Sequence, residues 1–122
     1  MPVRVQRKRT KGFKLPENTV SCTRGTKYGN PFKVGGWFKI GLNYGGFGFA
    51  WTQAREGYQD SSFTFIKDNE TAVEMYRKYL EIWPLRPAEI NVLSKADRLA
   101  CFCPLDTCCH VDVIIDFLAN QQ

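Results

Sequence analysis

The residues best suited to chemistry lie close together near the C-terminus, in Cys101-Phe102-Cys103-Pro104-Leu105-Asp106-Thr107-Cys108-Cys109-His110-Val111-Asp112. Four of the five cysteines and the single histidine fall here. The apolar run Leu99-Ala100-Cys101-Phe102-Cys103 reads as a buried strand, and a period of two puts Cys101 and Cys103 on one face. Pro104 to Thr107 is a short loop. Cys109 and His110 then open a helix. Free N–H groups and the helix dipole at such a start favour anions and lower the pKa of a thiol, so Cys109 is expected to be a low-pKa thiol and not a zinc ligand. His110 is the side chain whose ordinary pKa lies nearest neutrality, the natural acid or base. Asp112 either orients it or simply occupies the first helical turn.

Three readings of this segment stand side by side. The first is a thiol- and imidazole-lined site for an anion or nucleotide, with Cys109, His110 and Asp112 as the reactive set. The second is a metal site using Cys103, Cys108 or Cys109, and His110. Zinc suits such ligands, but the usual C-x₂₋₄-C pairs are absent. The third is structural, because buried cysteine often acts as a small hydrophobe.

A second constellation is Arg24-Gly25-Thr26-Lys27-Tyr28-Gly29-Asn30-Pro31-Phe32, which follows a strand candidate at Thr19-Val20-Ser21-Cys22. Arg24, Thr26, Lys27, Gly29 and Asn30 supply a guanidinium, a hydroxyl, an ammonium, freed backbone and an amide. That is chemistry for holding phosphate or carboxylate. It matches neither a Walker A nor a dinucleotide fingerprint, and it is also ordinary turn chemistry.

Charge adds a third feature. Seventeen Lys and Arg against twelve Asp and Glu give +5, and Arg4, Arg7, Lys8, Arg9, Lys11 and Lys14 all precede the first acid, Glu17. Such a segment attracts anions, nucleic acid among them, or is a solvated basic strand end. Lys and Arg also discourage pairing at the edge of a sheet, where Val3-Arg4-Val5 would start a strand.

The elements that must position these groups follow from periodicity. Residues 2–6 alternate as a short strand. Seven of the ten glycines lie between Gly35 and Gly57 among many aromatics, so residues 33–66 form a Gly- and aromatic-rich β excursion, packed or flap-like. Trp37 to Ile40 and Phe47 to Trp51 are the expected arms of a hairpin, and Ser62 to Ile66 is another strand. Asp68 or Asn69 caps a helix with Ala72, Val73, Tyr76, Leu80 and Trp83 on one face. Pro84 and Pro87 end it, and Pro87 starts a short helix with Ile90, Val92 and Leu93. Val111, Ile114, Ile115 and Leu118 make the last helix.

The 122 residues suffice for one ordinary core without staples, and 43% hydrophobic with 24% charged residues excludes a disordered or fibrous chain. No apolar run approaches the length of a membrane span. The Met1-Pro2-Val3-Arg4 start has no apolar leader region, so the expected location is the cytoplasm, with reduced thiols and no membrane partner.

The two constellations, with Val3-Arg4-Val5-Gln6-Arg7-Lys8-Arg9 and Leu15-Pro16-Glu17-Asn18-Thr19-Val20, resemble a small phage and bacterial family, domain of unknown function 4326. The resemblance rests on Gly29-Asn30-Pro31-Phe32 and on Leu99 to His110, and covers nearly the whole chain apart from residues 35–66. Two departures stand out. Gly25 stands where the family has Pro, and Cys108 stands where it prefers Pro. The resemblance therefore points to Cys101, Cys103, Cys109, His110 and Asp112, and away from Cys108.

The expected fold is one small α/β domain over residues 1–122, Rossmann-like and three-layered, with a mostly parallel sheet. If the strands before the two loops are parallel neighbours, the loops meet at one crevice. Arg24, Thr26, Lys27, Gly29 and Asn30, with Cys101 and Cys103, would then bind a nucleotide or nucleoside-like anion beside Cys109 and His110. The aromatic excursion would stack on a base. No cofactor is expected. Two alternatives remain: a nucleic-acid-binding module using the basic arm, and a zinc-binding domain.

Overall fold

The structure, a computed structural model, describes residues 2–23, 26, 28–40, 51–54 and 62–120. The chain divides into two compact units. One comprises Met1–Asn30 and Leu85–Gln122, the other Pro31–Pro84.

The first unit is built on a three-stranded parallel sheet. Its strands are β1 (Val3–Gln6), β2 (Thr19–Ser21) and β6 (Arg98–Cys101), in the order β1-β6-β2. β6 is the central strand, with Arg4 opposite Leu99 on one side and Val20 opposite Leu99 on the other. A central strand in a parallel sheet is covered on both faces, which is why its sequence is a continuous apolar run. Leu99, Ala100 and Cys101 are all buried. The ladder continues beyond the strands, as Cys22 N–H donates to Ala100 O (2.8 Å) and Arg7 N–H to Cys101 O.

Two helices belong to this unit. Pro87 opens α2 (Pro87–Lys95), and the Glu89 carboxylate accepts from Arg86 N–H (3.0 Å) as an N-terminal cap. Only Leu93 of α2 is buried. Helix α3 (His110–Ala119) buries Val111, Val113, Ile114 and Leu118, and Ile115 is half-buried.

The second unit holds an antiparallel sheet in the order β4-β3-β5, from β3 (Trp37–Ile40), β4 (Trp51–Gln53) and β5 (Thr64–Phe65). Ile40 faces Trp51 and Phe38 faces Gln53, so Trp37 to Ile40 is one arm of an antiparallel pair. Of the expected second arm, Phe47 to Trp51, only Trp51 is among the described residues, and the strand runs on from it to Gln53. The expected turn, Asn43 to Gly46, lies outside the described residues. Gly35, at φ 91°, turns the chain into β3 in a conformation only glycine adopts freely.

Helix α1 (Asn69–Ile82) completes this unit. Asp68 caps it by accepting from Thr71 N–H (2.8 Å). Ala72, Val73, Tyr76 and Leu80 are buried as their spacing predicts, with Met75 added. Trp83 departs from that face and is 37% exposed. Pro84 disfavours helical backbone at the residue before it, so the helix stops at Ile82 and Trp83 is the cap. Phe32 is the hub of the core, its ring edge-on to Phe38 (5.3 Å), Trp51 (6.2 Å) and Tyr79 (6.1 Å).

The chain is thus mixed α/β with a parallel three-stranded sheet, as expected. Among the described residues no helix is long and apolar enough to cross a membrane.

A candidate thiol centre at the end of the parallel sheet

The central strand ends at Cys101, two residues short of the expected limit. Phe102 and Cys103 bend away ahead of Pro104, so Cys103 is no longer a strand residue. It still reaches the same place as Cys101. The sulfurs of Cys101, Cys103 and Cys109 all lie within 4.8 Å of one another. Cys101 and Cys109 are buried, Cys103 is half-buried, and the Cys101 and Cys109 sulfurs are 3.1 Å apart as free thiols.

Cys109 is the N-cap of α3. The Asp112 carboxylate accepts from Cys109 N–H (3.2 Å), which leaves Asp112 at the helix start and not on His110. The imidazole is held elsewhere. His110 Nε2 is 2.6 Å from Cys22 O, and a carbonyl only accepts, so Nε2 carries the proton and donates. In the neutral ring this leaves the Nδ1 lone pair facing the Cys109 sulfur at 3.6 Å.

The thiols are made unequal by their surroundings. The Cys109 thiol lies below its ordinary value, chiefly through its hydrogen bond with Cys101, with His110 and the Val111 N–H adding to the effect. Cys101 is pushed up by hydrogen bonds with Cys103 and Cys109 and by burial. Cys22 is pushed up to about 12 by burial and then by Cys109, so it stays a thiol. The low-pKa character expected of Cys109 is present, yet Cys109 is 0% exposed. A molecule arriving from solvent meets half-buried Cys103 first.

Sequence reasoning missed the cation of this site. Arg4, read as an edge-strand charge, has a side chain only 9% exposed, with Nη1 3.4 Å from the Asp112 carboxylate. Its Nη2 donates to Pro104 O (3.3 Å), Leu105 O (2.7 Å) and Thr107 O (2.9 Å), holding the loop between β6 and α3. Among the described residues Nη1 makes no hydrogen bond. Burial alone would weaken the charge on Arg4, but the Cys109 sulfur and then Asp112 outweigh it. The signal was an arginine on the alternation of β1, indistinguishable in sequence from an exposed one.

The remaining expected site residues divide. Thr26 is exposed and its hydroxyl donates to Thr23 O (2.7 Å), closing a turn with Gly29 N–H on Thr26 O (3.0 Å). Asn30 is buried at 5% exposure. Arg24, Gly25 and Lys27 lie outside the described residues. For a metal, the structure gathers Cys101, Cys103 and Cys109 where the sequence suggested Cys103, Cys109 and His110, and Cys108 is not in the group.

The three thiols and His110 lie within the span of a known family, and Arg4 falls just before it. The profile of the family described as Domain of unknown function (DUF4326) matches residues 5–120. The chain belongs to this family. No curated protein and no solved structure matches it. The family thus spans both loops that leave the parallel sheet, the thiol centre and the whole of α3.

Proposed function

We propose that this domain binds one soft divalent metal ion, zinc by its chemistry, through Cys101, Cys103 and Cys109. The observation that carries the reading is the convergence of three thiols from the end of a central strand, a bend and a helix start. An ion held at about 2.3 Å by three thiolates sets its sulfurs about 3.8 Å apart. The observed sulfurs, from 3.1 Å up to 4.8 Å, bracket that spacing. Charge supports it too. Three thiolates around a divalent ion leave one net negative charge, and the Arg4 guanidinium, which also pairs with Asp112, is the cation that faces it. His110 Nδ1 faces the centre while Nε2–H is fixed on a carbonyl, the arrangement in which histidine serves as a ligand or supports one. A centre with three protein ligands keeps a position open for water or a ligand.

The finer reading is an anionic ligand of nucleotide or nucleoside kind above this centre. It is supported by the sheet order: β2 and β6 are parallel neighbours, and the His110–Cys22 hydrogen bond ties together the loops that follow them. Ligands of α/β domains bind at such strand ends.

The test is cobalt substitution. One cobalt ion per chain, with thiolate charge-transfer bands and tetrahedral d–d bands, is expected. Each of Cys101→Ser, Cys103→Ser and Cys109→Ser should weaken it, and Cys108→Ser should not. His110→Ala that shifts the d–d bands identifies the fourth ligand. A chain that takes up no metal with all thiols reduced would sink the proposal. A panel of nucleotides raising the melting temperature of the metal-loaded protein tests the finer reading separately.

A further inference from the structure

We infer that the basic arm at residues 7–14 binds single-stranded nucleic acid along the end of the parallel sheet, an activity independent of the metal. The arm carries Arg7, Lys8, Arg9, Lys11 and Lys14 and no acid. The twelve other Lys and Arg are matched by twelve Asp and Glu, so the whole net charge of +5 resides in this segment. Successive cations are at most three residues apart, so each lies within about one Debye length, roughly 8–10 Å, of the next, and they act together on an extended anion.

The arm is anchored where it leaves the sheet. Arg7 N–H donates to Cys101 O and Arg7 Nη1 lies 3.3 Å from Ser21 Oγ. The guanidinium groups of Arg7 and Arg9 both approach the Phe102 ring, at 5.5 Å and 4.4 Å from its centre. Two like charges share one ring, and none of the five cations has a carboxylate partner among the described residues. A plain solvated face would let long side chains spread apart; here they converge. Phosphate placed between them removes the repulsion and supplies the missing acceptors.

The aromatic content selects the kind of polyanion. Phe13 is 37% exposed within the arm, and Phe102 is half-buried beneath the arginines. Aromatic faces interleaved with cations suit unpaired bases stacked beside their phosphates. The arm is neither helix nor strand beyond Gln6, so it offers no rod for the major groove of a duplex. A lipid surface is a poorer match, because Phe13 is the one exposed large apolar side chain of the arm and no amphipathic helix accompanies it.

The experiment is fluorescence anisotropy of a labelled single-stranded 20-nucleotide oligomer against the full-length protein, over a salt series. If all five cations meet phosphate, the slope of log K against log salt is about −3.5. The variant Lys8→Gln/Arg9→Gln/Lys11→Gln/Lys14→Gln alters only exposed side chains. It should bind at least about tenfold more weakly at low salt, with a slope near −0.7. Phe13→Ala should lose about tenfold in affinity while keeping the slope, because stacking releases no ions. Absence of binding at 50 mM salt overturns the inference, as does equal affinity in the quadruple variant. Tighter binding of duplex than of single strand overturns it too, and so does binding of anionic vesicles without binding of the oligomer.

Discussion

The two units solve the problem of a small core differently. The Pro31–Pro84 unit is organised by aromatic rings, with Phe32, Phe38, Trp51 and Tyr79 in edge contacts, and contains neither cysteine nor histidine. The unit formed by Met1–Asn30 and Leu85–Gln122 holds all five cysteines and the histidine, and both buried polar residues found among those described, Asn30 and His110. Buried polar groups cost desolvation and need partners, whereas rings need only area and geometry. The thiol-bearing unit therefore depends on completing its charges and ligands, and the aromatic unit on filling its volume.

The sharpest way to break this comparison is to remove metal from the zinc-loaded protein with a chelator. Metal bound only by the folded state contributes on the order of several kcal/mol. Hydrogen exchange should show Arg98–Cys101 and His110–Ala119 losing protection while Asn69–Ile82 keeps it. Equal loss in all three segments would refute the division. Next in size is Phe38→Ala, which empties a fully buried aromatic site. It should cost about 4 kcal/mol in denaturant unfolding and leave metal content unchanged.

Arg4→Met comes third. It removes a donor from Leu105 O and Thr107 O, leaves Pro104 O to the Thr107 N–H and hydroxyl, and leaves Asp112 without its ion pair, at a cost of about 2 kcal/mol. Zinc affinity, read by competition with a chromophoric chelator, should fall with it. Arg4→Lys keeps the charge without the fork and should recover metal affinity better than stability. Unchanged zinc affinity in Arg4→Met would detach the cation from the centre.

The smallest effect belongs to Asp68→Ala in the aromatic unit. The Thr71 hydroxyl and N–H hold the Asp68 carboxyl below its ordinary value. Its stabilisation is complete above the unfolded pKa of about 3.9 and fades as pH falls through the lower folded value. Melting curves of wild type and variant should differ at neutral pH and converge in acid. A gap that widens in acid would contradict the cap.

What the sequence determined by itself is what short-range chemistry encodes. Asp68 and Pro84 bound α1 because capping and proline sterics act within a few residues. The apolar run at Leu99 to Cys101 announced a central strand, and the Cys109-His110 pair announced a helix start beside it. That Trp37 to Ile40 is a strand was legible from its β-forming residues, whereas its register, Ile40 opposite Trp51 with the partner strand running on to Gln53, was not. The thiol cluster was legible only in part, because period two extended the strand to Cys103, whereas the chain bends after Cys101 and brings Cys103 back to the cluster by another route. Only the tertiary structure decided the rest of the centre. Arg4 reaches carbonyls about 100 positions away, and His110 reaches Cys22 across 88. Those contacts exist because the order β1-β6-β2 lays the first and second strands against the last. Strand order is a property of how whole elements bury one another, and no local pattern of residue types records it.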